Sequence, residues 1–296
     1  MGRSELIVRA AQLRRERSAF VHAQVVLAER PTSAKPGDEA LVLGDGTIEG
    51  FVGGDCAEST VRAQSLALLD SGETLLLRIS PEPEPAQPGK LVVHNPCLSG
   101  GTLEIFLEPV IPVPYVAVVG DSPVGRALVA LGTALRYDVR FHAGSLPADA
   151  AALVVASHGR DETSALTEAL RVGVPYVALV ASRTRGEAVV ASLDVCASMR
   201  ARVVTPAGLD ISARTPEEVA LSILADIVAR RPRPTGRPIP PDDVTSTNAI
   251  DPVCGMTVAV VESSLHLDHD GTRAWFCGSG CLRAFAADPA AYTQRP

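Results

Sequence analysis

Between residues 112 and 230 the sequence alternates buried-strand and helix patterns, and this alternation constrains the fold more than any single residue does. YVAVVG reads as a buried strand, PVGRALVALGTALR as a helix, DVRFHAG and ALVVASH as strands, ETSALTEALRVG as a helix and PYVALVAS as a strand. Parallel strands require long crossovers, and crossovers within one sheet are right-handed, so the pattern predicts a Rossmann-like parallel-sheet domain over 112–231. TPEEVALSILADIVARR closes it as an amphipathic helix. Thr215 is a good N-cap, and Glu217 and Glu218 fall in the first turn, where the helix dipole favours carboxylates.

The flanking sequence has a different character. Residues 1–111 open with Leu6, Ile7, Ala10 and Leu13 at helical spacing and continue through β-rich runs such as FVHAQVVLAE, EALVLGD, ETLLLRI and TLEIFLEPV. Asp45-Gly46 between two apolar runs is a hairpin signal, and PEPEPAQPG is a surface loop. This part is expected to be a mixed α+β domain. Residues 232–249 are proline-rich without apolar periodicity and read as a linker. Residues 250–296 are too few for a self-sufficient core, and a bound metal would make up the deficit. The fold class is therefore α/β with three parts and a linker.

Composition narrows the function. The chain has 296 residues, 46% hydrophobic and 21% charged, with a net charge of −7, so it can build packed cores but lacks the basic field of a nucleic-acid binder. No apolar run reaches the roughly 18 to 20 residues of a membrane span, and the first twenty residues lack the apolar region of a signal peptide. A cytoplasmic location is expected. Thiols stay reduced there, so the six cysteines read as metal ligands or reactive groups before disulfides.

FVGGDCAEST places Gly53 and Gly54 before Cys56 at the start of a helix, where backbone N–H groups gather around an anion and the dipole favours a thiolate. NPCLSGGTLEIFLEPV sets Cys97 before Gly100 and Gly101 at the entrance to a strand. Turn-making glycines and space-filling cysteines are the plain reading of either block alone. The blocks GDGTIEGFVGGDCAE, CLSGGTLEIFLEP and GLDISARTPEEVALSILADIVARR, in this order, resemble the XdhC/CoxI family, over residues 1 to about 231. CLSGG looks closest to the CoxF-type members associated with carbon monoxide dehydrogenase. The resemblance implies a maturation factor that binds the molybdenum cofactor (molybdopterin), supports its sulfuration and inserts it into an apo-enzyme, a molybdenum hydroxylase such as carbon monoxide or xanthine dehydrogenase. It makes Gly53, Gly54, Cys56, Glu58, Cys97, Gly100 and Gly101 the cofactor-pocket residues, with Cys56 and Cys97 as the thiols that touch molybdenum or carry sulfur. A cysteine desulfurase as sulfur source and a homo-oligomeric state are further expectations.

In the parallel-sheet domain, YVAVVGDSPVGRAL has the context of a dinucleotide turn, with Gly120 and Gly125 in the first and third glycine positions. Ser122 replaces the middle glycine that lets a pyrophosphate reach the backbone, and FHAGS ends the next strand without an acid for a ribose, so NAD(P) is not expected. Relatives usually read GAGHVG here, so Pro123 departs as well. His158 in ASHGRDET falls at a strand's carboxyl end, where ligands bind in open α/β sheets, or simply in a solvated helix-entry loop. Arg183 and Arg185 in ASRTRG suit a phosphate or pterin anion. Gly120, Ser122, Gly125, His158 and Arg183 are carried as cofactor-site candidates, and Cys196 is read as packing.

DPVCGMTV and WFCGSGCLRAFAADPAAY hold Cys254, Cys277 and Cys281. A four-residue spacing puts the last two thiols on one side of a helix start, and Cys254 can join from a turn. The stretch resembles the YHS domain of metal-handling proteins, with Trp275 where tyrosine is usual and Gly278 in place of the serine after the cysteine. Soft thiolates favour Cu(I) or Zn(II), with His266, His269 or Met256 as added ligands. Two readings compete with the maturation factor: a nucleotide-dependent oxidoreductase, and a metal sensor or scavenger led by the C-terminal module.

Overall fold

The computed structural model describes residues 1–96, 101–231 and 248–292. They form two compact units, one made of residues 1–112 with the C-terminal segment and the other of the residues between. The C-terminal segment, expected as a module of its own, thus shares a unit with the N-terminal part.

The first unit is built on a six-stranded sheet. Helix α1 (Arg3–Arg15) precedes β1 (Phe20–Ala28), β2 (Glu39–Leu43) and β3 (Ile48–Gly50); α2 (Asp55–Ser71) then leads to β4 (Leu75–Ser80), β5 (Leu91–His94) and β6 (Leu103–Val110). The strand order is β3-β2-β1-β6-β4-β5. Every pairing is antiparallel except β4 with β5. The β2–β3 hairpin turns at Asp45-Gly46, as the dipeptide predicts, with Gly46 at φ +80°. Alternating side chains of β1, β4 and β6 meet α2 in one core, where Val61 and Leu68 are almost wholly buried. Each such side chain contributes roughly 1.5–3 kcal/mol relative to exposure. In α1, Leu6 and Leu13 are buried, whereas Ile7 is 61% exposed and takes no part in that stripe.

Behind the proline-rich loop, the Arg78 guanidinium donates to Glu84 and to Glu104, and Lys90 lies 2.5 Å from Glu104. This network ties the loop to the sheet.

The C-terminal segment is two short antiparallel ladders and a helix. One pairs β12 (Asn248–Ile250) with β13 (Thr257–Ala259), the other β14 (Leu265–His269) with β15 (Thr272–Phe276), and α8 (Ser279–Ala287) follows. Strand β13 packs on α2, and Phe285 of α8 packs on Phe276 with ring centroids 5.3 Å apart.

The second unit is a five-stranded parallel sheet of β7 (Tyr115–Val119), β8 (Asp138–Phe141), β9 (Ala150–Val155), β10 (Tyr176–Leu179) and β11 (Val203–Val204). Its helices are α3 (Pro123–Ala134), α4 (Glu162–Val172), α5 (Arg183–Ala191), α6 (Ala197–Arg200) and α7 (Pro216–Arg230). The order β11-β10-β9-β7-β8 reverses between β7 and β9 and leaves an apolar core on each face, the doubly wound arrangement that the alternation predicts. The Thr215 cap of α7 is present: its hydroxyl accepts from the Glu218 N–H at 3.2 Å while Glu218 accepts from the Thr215 N–H at 3.0 Å. No described helix is long and apolar enough to cross a membrane.

Candidate metal and cofactor site

The chemistry of the first unit gathers where α2 begins. Residues 51–54 turn the chain from β3 into α2, and Gly54 caps the helix with no side-chain acceptor. The first-turn N–H groups of a helix have no partner within it, so this end offers donors and a positive dipole end to an anion. Cys56 stands in that first turn, half-buried.

Opposite it, the C-terminal segment brings its three cysteines together. Asp251, fully buried, shapes the turn that presents Cys254: one carboxylate oxygen accepts from the Val253 N–H and the other from the Cys277 N–H, each at 2.8 Å. The Cys277 sulfur lies 3.5 Å from that of Cys254 and 3.7 Å from that of Cys281. Asp251, Cys254, Cys277 and Cys281 place one ligand atom each within 4.8 Å of one another, a group that can hold a metal ion. His266 and His269 stand outside that group. His266 packs at a tilt against Trp275, with Nδ1 3.0 Å from the Ser264 carbonyl, and His269 meets Phe285 in a T-shaped contact. Met256 is buried against the same cysteines.

The thiols perturb one another. Cys254 is held below its ordinary value, chiefly by the hydrogen bond from Cys277, while Cys277 is pushed up because its proton is shared with Cys254 and Cys56. Burial, then the nearby charges of Asp251 and Cys254, push Cys281 up. A bound metal would stabilise every thiolate that it holds.

These cysteines line a cleft of about 1100 Å³ together with Gly54, Cys56 and Gly101. Arg30 and Arg283 supply positive charge, and Ile79, Pro81 and Leu103 supply apolar wall. Pro96 and Gly101, which flank the undescribed residues 97–100, both line the cleft, whereas the predicted Cys97 and Gly100 lie outside the described residues. Gly53 and Glu58 are not among its walls. The Glu58 carboxyl sits half-buried along α2 and is raised above its ordinary value by burial. Gly101 also has a packing reason, since a Cβ there would come within 1.7 Å of the Glu29 carbonyl.

In the second unit the predicted residues divide. Gly120 is pressed against the chain just beyond β9, where a Cβ would lie 2.4 Å from the Ser157 Cα. The buried Ser122 hydroxyl accepts from the Gly125 N–H at 3.1 Å and so caps α3. His158 and Arg183 instead line a separate cavity of about 840 Å³ with residues 206–213, beyond the ends of β10 and β11. Arg185 also lines it but is committed to buried Glu162 at 2.5 Å. Cys196, expected as packing, is exposed at the N-terminus of α6. Its thiol lies 3.1 Å from the Ser198 hydroxyl, and that hydrogen bond lowers its pKa.

Residues 13–80 match the XdhC and CoxI family, and residues 116–227 match the XdhC Rossmann domain. Two segments of this chain are thus similar to XdhC-type proteins. The XdhC and CoxI segment contains β1 to β4 and all of α2, including Gly53, Gly54 and Cys56, and the XdhC Rossmann segment contains nearly all of the parallel sheet. Residues 248–292 fall in neither match. A protein from Escherichia coli (strain K12), the uncharacterized YqeB, is 26% identical over 254 residues, 75% of this chain and 46% of the relative. The chain thus spans about half the length of that curated relative. A crystal structure described as a xanthine dehydrogenase from Bacillus halodurans has 14% sequence identity and a TM-score of 0.48, over 75% of this chain and 65% of that one.

Sequence reasoning missed Asp251, Arg30 and Arg283, and above all the position of Cys56 against the C-terminal cysteines. DPVCGM contains Asp251 in a turn-forming context. Nothing local to FVGGDCAEST points 221 residues ahead.

Proposed function

We propose that this chain is a maturation factor for a molybdenum hydroxylase, holding the molybdenum cofactor in the cleft beside Cys56 until an apo-enzyme receives it. The match of residues 13–80 to the XdhC and CoxI family and of residues 116–227 to the XdhC Rossmann domain supports the reading. The observation that carries it is that the Gly53-Gly54-Cys56 block delivers a helix N-terminus and a thiol to a cleft of about 1100 Å³.

The residues present fit such a ligand. The cofactor's phosphate suits Arg30, Arg283 and the first-turn N–H groups of α2, and its flat pterin suits the apolar wall of Ile79 and Leu103. The bound cofactor would supply the molybdenum centre of the client's chemistry. The chain's own residues bind, orient and cover it. Sulfuration with a cysteine desulfurase, and a client of the carbon monoxide or xanthine dehydrogenase type, belong to the same proposal. So do a cytoplasmic location and a homo-oligomeric state. The C-terminal segment enters as a YHS-like metal-handling part.

The test is activation of an apo-hydroxylase by cofactor-loaded protein. The wild type should restore activity, and Cys56→Ser should restore much less. Equal activation by a cofactor solution without this chain would overturn the reading.

A further inference from the structure

We infer that Cys56 is the fourth ligand of a metal centre whose other ligands are Cys254, Cys277 and Cys281, so that a bound soft d10 cation, zinc in the first instance, ties the C-terminal segment to the start of α2. The proposal goes beyond the cofactor reading and stands without it.

Distances argue first. In a tetrahedral zinc tetrathiolate with Zn–S near 2.3 Å, each pair of sulfurs is about 3.8 Å apart. From Cys277 the three other sulfurs lie at 3.5 Å (Cys254), 3.7 Å (Cys281) and 4.0 Å (Cys56). Each of the three is close to that edge length.

The choice of fourth donor argues second. Asp251 is the other nearby candidate, but both its oxygens are already taken by the N–H groups of Val253 and Cys277, in a fully buried turn. It shapes the loop that carries Cys254. The Cys56 thiol stands 4.0 Å from the Cys277 sulfur, across the contact.

The contact itself argues third. The Asp55 carboxylate accepts from the Ser279 N–H at 3.1 Å, which sets the N-terminus of α8 against that of α2. At Gly278, between Cys277 and Ser279, a Cβ would lie 3.3 Å from the Cys56 sulfur and 3.2 Å from the Asp55 Cβ. The position is extended at φ −166°, so no turn requires glycine there. The missing side chain has a steric use instead: it lets the Cys56 thiol approach Cys277.

Zinc K-edge X-ray absorption on the full chain, produced without molybdenum cofactor and loaded with zinc alone, reads the ligand set directly. The wild type and Cys196→Ser should each show four sulfurs at about 2.3 Å. Cys56→Ser should show three sulfurs and one lighter atom, with zinc released to a competing chelator at least ten-fold more readily. Gly278→Val, which keeps every thiol, should weaken zinc binding in the same direction. Failure of the wild type to bind zinc, three sulfurs in the wild type, or four in Cys56→Ser would each overturn the assignment. Because the protein carries no pterin, none of these outcomes bears on cofactor retention, and each reading can fail alone.

Discussion

The Cys56 sulfur lies 4.0 Å from that of Cys277, although 221 residues separate them in the chain. One thiol stands at the start of α2 and the other at the end of β15. Cys56 and the C-terminal cysteine group therefore line one cleft, and a change at either should be felt at both.

Gly278 is the most sensitive position for that contact. Replacing it with serine sets a Cβ 3.2–3.3 Å from Asp55 and Cys56, tighter than packed side chains usually allow. Overpacking of this kind costs about 1–3 kcal/mol. Gly278→Ser should lower the melting temperature and speed proteolytic cleavage of the C-terminal segment. An unchanged cleavage rate would mean that the segment does not depend on the approach.

Thiol labelling should rank the cysteines by exposure and environment. Cys196 is exposed, and its pKa is lowered by the Ser198 hydroxyl, so it should react first with iodoacetamide. Buried Cys277, whose pKa is raised, should react last among the described cysteines. Ser198→Ala should slow labelling at Cys196 alone, as peptide mass spectrometry would show.

Much of this architecture was legible in the sequence because it rests on local patterns. Alternation of apolar runs with helical ones announces the parallel sheet, Asp45-Gly46 announces the β2–β3 hairpin of the six-stranded sheet, and the spacing of Cys277 and Cys281 announces two neighbouring thiols. What was hidden depends on contacts distant in sequence. The strand order β11-β10-β9-β7-β8 needs the packing of two cores, which periodicity does not specify. The replacement of serine by Gly278 reads locally as a blurred motif and finds its steric reason only beside Cys56. Cys196 resembles packing in a one-dimensional apolar stretch, but the fold puts it at an exposed helix start.

The acid response should show Glu104. Its carboxyl is held below the ordinary glutamate value of 4.5, first by the hydrogen bond from Lys90 and then by Arg78. A depressed folded-state value stabilises the fold fully above the unfolded value, and the contribution is lost as pH falls through the folded one. Glu104→Gln should therefore melt below the wild type at pH 7, and the gap should narrow as pH drops below 4.5. A gap that stays constant down to acid unfolding would assign the role of Glu104 to packing.

Ser122 should matter to α3 as a cap. Its hydroxyl accepts from the Gly125 N–H, and loss of an N-cap oxygen costs about 0.5–2 kcal/mol. Ser122→Ala should lower stability by about that amount in a urea titration, while Ser122→Asp, which keeps an acceptor, should recover part of the loss.

The central claim is that the cleft beside Cys56 holds the molybdenum cofactor. Its most direct test is the pterin content of full-length protein purified from a cofactor-producing host, read as the fluorescence of the oxidised pterin per chain. The account predicts a stoichiometric pterin signal in the wild type and in Cys196→Ser, and a loss of at least ten-fold in the double variant Cys56→Ser, Arg283→Ala. Absence of pterin from the wild type, or equal retention by the double variant, would contradict it.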